Sequence, residues 1–268
     1  MRRRLLVAIG AAFVARAAGA DGLEDLRACL ARLPAHDAVR ATVTVVVRSL
    51  PGPKAAKDAP KQEPATVTVE VAAGAGGITV SASPELLAAL QERRRTRGEG
   101  GPAAGSFSAA LDQVTFDALD ARLCAGRTLA ARLAGATLVR EGSDSFGGAQ
   151  VRLVVLRPTP ELDEGARKHV RITKEELRVW LDGGGCPLGS EAISEGKFRF
   201  LVLTAEFSMR LRTEFALAGD RLIAVRQESE TAGSGMGEHS RDITTVTVVP
   251  RRPEATAAPT PGGRDERR

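Results

Sequence analysis

The sequence has no tyrosine, a single tryptophan (Trp180), three histidines and three cysteines, and only 3 % of its residues are aromatic. So few rings exclude the stacking platforms on which single-stranded nucleic acids are held. His36, His169 and His239 are far apart and form no paired spacing. Cys29, Cys124 and Cys186 match neither a zinc pattern nor a CxxC pair. Neither a GxSxG elbow nor an HExxH helix is present. After the first twenty residues no apolar run is long enough to span a bilayer as a helix, so the mature chain is expected to have no transmembrane span.

One SxxK match exists, Ser194 to Lys197. That chemistry needs the serine at a helix start, whereas this stretch, with Gly196 inside it, reads as a turn between strands. Glu175 and Glu176 are adjacent, so on a strand they point to opposite faces. With no nucleophile, base and oxyanion site assembled, no catalytic residue, metal ligand or cofactor is expected, and the chain reads as a non-enzyme.

Basic charge is concentrated at the ends. The formal charge is +5, from 38 Lys and Arg against 33 Asp and Glu. Arg2, Arg3, Arg4 and Arg16 lie in the first twenty residues, and five arginines against three acids follow Val249. The body between is therefore close to neutral, which argues against a nucleic-acid footprint. The first twenty residues read as an export signal: an arginine run, the short apolar stretch Leu5 to Val14, and Ala18-Gly19-Ala20 as a cleavage site. Residues 1–20 are thus expected to be removed, leaving a periplasmic or secreted protein; the arginine run leaves the export route open. No cysteine follows the cleavage site to take a lipid anchor. An oxidising compartment permits disulfides, and three cysteines allow at most one internal bridge. Cys29, on a leucine-rich helix, reads as a small buried apolar residue.

Along the body, residues 22–33 have leucines on one helical face and Pro34 to end them. Residues 40–49 and 65–72 alternate valine with threonine or charge, as half-buried strands do, and residues 78–82 pair back as a hairpin. Ser83-Pro84-Glu85 starts a helix. Residues 110–135 read as largely helical with a break at Gly126, and strands at 136–141 and 150–157 flank a loop at 142–148. Leu177, Val179 and Leu181 share one strand face, with Arg178, Trp180 and Asp182 on the other; Gly183-Gly184-Gly185 and Pro187 make a turn. Residues 198–217 read as one long strand with a dry and a wet face. A hairpin at Gly219-Asp220 and two further strands complete the pattern. Segments 51–64 and 96–106 are polar insertions, and 250–268 should be a disordered tail.

About eight to ten strands with one apolar face each need cover, and three amphipathic helices supply it. The element order, and the unit Leu177-Arg178-Val179-Trp180-Leu181-Asp182 with its glycine turn and Pro187-Leu188, resemble the periplasmic lipoprotein-carrier superfamily. That superfamily comprises outer-membrane lipoprotein-sorting proteins of the LolA and LolB type and RseB-like sensor domains. The resemblance implies an α+β fold over residues 21–249: an open antiparallel β half-barrel whose concave apolar face is covered by helices. It also implies non-enzymatic binding of an acyl chain, lipid or lipoprotein. The expected cavity-lining residues are Val43, Val45, Val67, Val69, Leu201, Phe207, Met209, Leu211 and Phe215. The alternative is an envelope binding or scaffold protein of the same fold, with a filled core and a protein partner but no small ligand.

Overall fold

The computed structural model describes residues 21–51, 63–96, 106–159, 165, 168–200, 203–235 and 238–251. The expected export signal, most of both polar insertions, and the tail beyond Arg251 lie outside these residues.

Ten strands form one open antiparallel sheet. In chain order they are β1 (Val39–Pro51), β2 (Ala65–Gly74), β3 (Gly77–Ser81), β4 (Thr137–Phe146), β5 (Ala149–Arg157), β6 (Val170–Leu181), β7 (Pro187–Phe200), β8 (Leu203–Ala218), β9 (Arg221–Gly235) and β10 (Glu238–Arg251). Their order in space is β3-β2-β1-β10-β9-β8-β7-β6-β5-β4. Every neighbouring pair but one is a sequential hairpin; the exception is β1 with β10, where Val45 faces Val246 and Val43 faces Val248. Alternation decides which side of each strand is dry. Val43, Val45, Val67 and Val69 are all buried, while Thr44 and Thr68 meet on the opposite face, Oγ1 to Oγ1, at 3.3 Å.

Three sequence expectations shift here. The stretch 142–146 is strand, so only Gly147-Gly148 turns the β4–β5 hairpin. As an edge strand exposed along most of its length, β4 carries no apolar alternation to reveal it. Residues 198–200 close β7, and the expected long strand is divided between β7 and β8. Residues 194–197 lie within β7 with no turn, because the Phe207 ring from β8 packs over Gly196 and continues the sheet surface. At the C-terminal end, β10 runs through Pro250 and Arg251.

Among the described residues the helices of the cover layer are α1 (Gly22–Ala31), α2 (Pro84–Thr96), α3 (Ser106–Asp112), α4 (Phe116–Leu123) and α5 (Ala125–Leu133); the last three divide the third expected helical stretch. The break between α4 and α5 is at Cys124 (φ −123°, ψ 45°), not at Gly126, which sits inside α5 near Leu222 and Leu30. Asp21 caps α1 and Ser83 Oγ accepts from Leu86 N–H, satisfying N–H groups that a helix start leaves open. The layer makes two cores. Leu86, Ala110, Leu111, Leu119 and Leu123 from α2–α4 pack on the valines of β1, β2 and β10. Leu23, Leu26 and Leu30 of α1, with Leu129 and Leu133 of α5, pack on Val154, Leu156, Leu177, Val179 and Leu181. Burying each such side chain contributes about 1.5–3 kcal/mol.

The unit around Trp180 fastens the second core. Asp182 Oδ1 accepts from Gly184 N–H (2.8 Å) and Cys186 N–H (2.9 Å), folding the turn back on itself. Gly185 has φ +81°, and a Cβ there would lie 2.8 Å from Asp25 Cβ of α1. Only glycine combines that backbone conformation with so close an approach. The turn thereby presents Cys186 to Cys29 of α1, and the two form a disulfide with Cα atoms 5.3 Å apart. Cys29 is buried, as expected, but it is bonded. At the other end of α1, Arg152 pairs with Asp25 (2.6 Å) and with Glu141, which also accepts from Gly22 N–H (2.9 Å). The Arg152 contact, opposed by partial desolvation, holds the Glu141 carboxyl below its usual range.

Trp180 lies on the outer face with Phe146, Leu153 and Val155, its ring centroid 5.3 Å from that of Phe146 and its indole N–H donating to Asp144 (2.9 Å). Among the described residues the helix layer buries the guanidinium of Arg122. It donates to Gln227 Oε1, to the carbonyls of Gln113 and Ala118, and to Gln113 Oε1. Burial beside these neutral acceptors pulls its pKa down to about 10.

Candidate functional site

The helix layer does not cover the whole inner face. Beyond α4 and α5 the sheet continues as two inward rows. Leu177, Ala192 and Leu211 are cross-strand neighbours on β6, β7 and β8, and Glu175, Ser194 and Met209 form the next row. Between these rows and Ala121, Thr128, Ala131 and Ala134 of the helices lies a groove of about 940 Å³. Its floor is apolar at Leu177, Ala192, Met209 and Leu211, and Met209 is 42 % exposed. Its rim carries both signs: Asp117, Asp120 and Glu175 with Arg127 and Arg132. Arg127 Nη2 lies 3.3 Å from both Asp120 oxygens, and contact with Cys124, then with Asp120, strengthens its hold on its proton.

The expected lining residues are not brought together in one place. Val43, Val45, Val67 and Val69, at 0–3 % exposed, belong to the packed core beneath α2–α4. Met209 and Leu211 face the groove, and Phe215 packs at the margin of the second core. Phe207 borders a separate depression of about 860 Å³ at the far end of β6–β10, together with Leu50, Ser208, Ala232 and Arg241. Leu201 lies outside the described residues. Alternation along β8 placed all four described β8 residues on one face, but could not say where the helices stop. That is set by the short α5 and by the Cys124 break.

The groove contains no arrangement for covalent chemistry. Ser194 faces inward on β7, three residues from Lys197, whose side chain points outward to pair with Glu206 (2.7 Å). Glu176 pairs with Arg178 on the outer face, away from Glu175. His36 lies beside a different cavity, and His169 contacts Phe198. Among the described residues no group of three His, Cys, Asp or Glu side chains could hold a metal ion, and no helix is long and apolar enough to cross a membrane. The free thiol is Cys124, buried, with Arg221 Nη1 donating to its sulfur at 3.1 Å. Arg221 also donates to the Asp37 carbonyl, tying the β8–β9 hairpin to the segment before β1.

No family model and no curated protein matches the chain. Among solved structures it is similar to a chain from the complex structure of Pseudomonas aeruginosa MucA/MucB, at 10 % identity over 83 % of this chain and 93 % of that one, with a TM-score of 0.19. A chain from the crystal structure of MucB in complex with MucA(peri) aligns at 11 % identity over 85 % and 93 %, with a TM-score of 0.17. Superpositions this loose carry no argument about fold or function, so both rest on the chain's own geometry.

Proposed function

We propose that this protein is a non-enzymatic periplasmic carrier or sensor that holds an apolar ligand (an acyl chain, a lipid or a lipidated protein) in the groove between α4–α5 and β6–β8. The single observation that carries this reading is the partly uncovered apolar floor at Met209, Leu211 and Ala192, on the face that the helices elsewhere cover. Soluble proteins rarely leave such a concave surface without a use. The open ten-stranded sheet with helices on one face suits the half-barrel of the lipoprotein-carrier superfamily. The Cys29–Cys186 disulfide, with the signal-like N-terminus, supports an exported location.

Native mass spectrometry and solvent extraction of the purified protein test the reading. Co-purified lipid, lost in a Met209→Arg variant that keeps its fold, is expected. A preparation free of lipid, with no site for a displaceable hydrophobic dye, sinks it. A second reading, an envelope scaffold binding a protein partner without any small ligand, is favoured by one observation: four of the expected lining residues, Val43, Val45, Val67 and Val69, lie in a filled core. An unliganded protein that is nonetheless captured by an envelope protein would decide for it.

A further inference from the structure

We infer that the groove is the first of two chambers for one single-chain zwitterionic amphiphile, and that the Asp120–Arg127 ion pair is the latch between them. This rests on the ligand-binding reading above. The second chamber, about 550 Å³, lies across α5 from the groove, with Leu30, Leu33, Pro34, Ile78 and Ala130 among its walls. The two linings have Asp120 and Arg127 in common and nothing else. The pair joins α4 to α5 across the Cys124 break, and both side chains reach solvent, so it is held weakly.

The occupant follows from where charge and apolar surface fall. Apolar walls lie in both chambers, while charge lies at the groove rim, at the latch and at Arg221, which donates to Cys124 beside the latch. The rim offers Asp117 and Glu175 to a cationic group and Arg132 to an anionic one. A zwitterionic head pairs its cation with one of these acids and its anion with Arg132, where a head of one sign would leave one sign of the rim unmatched. Its chain runs along Met209 and Leu211. Once it is long enough to reach α5, each further buried methylene is worth about fourfold in affinity (~0.8 kcal/mol). A few such increments outweigh an exposed ion pair, so long chains open the latch and short ones leave it closed.

The test uses lysophosphatidylcholines from octanoyl to stearoyl, below their micelle concentrations, on the mature protein. Affinity is expected to climb through the whole series. Ala130→Trp fills the second chamber only; it should leave the octanoyl ligand unchanged and weaken the stearoyl ligand at least tenfold. The unsubstituted protein supplies an independent readout. Cys124 lines the second chamber and not the groove. Its reaction with N-ethylmaleimide should be slowed by the stearoyl ligand and not by the octanoyl one. If Ala130→Trp weakens no member, or long and short chains protect Cys124 alike, the two-chamber inference is overturned while the groove reading stands. If even the short members fail to bind, the groove reading falls and takes this inference with it.

Discussion

Breaking the Cys29–Cys186 bond is the sharpest perturbation the structure offers. The two cysteines are 157 residues apart in the chain, so the bond closes a very long loop in the unfolded state. The chain-entropy relation gives a loop of that length a loss of about 17 cal/mol/K, or about 5 kcal/mol at 25 °C. That is an upper figure, because compact unfolded chains already restrict the loop. It is still a large share of the 5–15 kcal/mol that typically holds a folded protein together. The native contacts change little, since Cys29→Ala with Cys186→Ala leaves α1 its leucines and the Asp25–Arg152–Glu141 cluster. Urea unfolding of the oxidised, reduced and doubly substituted proteins should therefore show the last two with similar midpoints, well below the first. Thiol titration should find one reactive group in denatured oxidised protein and three after reduction, Cys124 being the free one. An oxidised protein with three titratable thiols, or a midpoint indifferent to reduction, would falsify the assignment of the turn as the clasp of α1.

Three other outcomes follow from single contacts. Gly189→Ala should lower stability by about 1–3 kcal/mol in thermal unfolding, because the new methyl would meet the Phe146 ring and lie 2.9 Å from the Thr213 carbonyl; a neutral result would mean the ring is not seated there. Arg122→Met should destabilise by about 1–3 kcal/mol despite its similar volume, since it leaves the half-buried amide oxygens of Gln113 and Gln227 without this donor; chemical denaturation reads this, and a neutral or stabilising result contradicts it. For Glu141, the folded carboxyl is held below its unfolded pKa. Its contribution is thus complete above the unfolded value of 4.5 and is lost as pH falls through the folded value. Glu141→Gln should flatten the acid limb of stability against pH, and an unchanged limb would assign that proton elsewhere.

Strand faces were legible wherever one side is dry. The valines of β1 and β2, the Leu177–Leu181 alternation and the β8 stripe all lie where their period of two puts them. What failed to show has physical causes. Strand β4 is exposed on both faces for most of its length, so its second half, residues 142–146, reads as loop. Gly196 imitates a turn because the residue that completes its surface, Phe207, sits on the next strand. Three cysteines permit three pairings, and only the fold brings Cys186 to Cys29. The same holds for the groove. Apolar residues at 43–45 and at 209–211 are indistinguishable in sequence, and the end of α5 makes the first pair core and the second pair floor.

The position of β10 has a kinetic consequence. Among the described residues it is the last strand, yet it lies inside the sheet, between β1 and β9. Until it arrives, the chain holds two separate pieces: β1–β3, and the run of hairpins from β4 to β9. Joining them pairs residues near 45 with residues near 246, the least local contacts in the sheet and hence the slowest to form. The first piece cannot hide the inner edge of β1 during synthesis, and an uncovered valine-rich edge is the hazard that invites aggregation. Deleting β10 should therefore cost the protein not one edge but the continuity of the whole sheet.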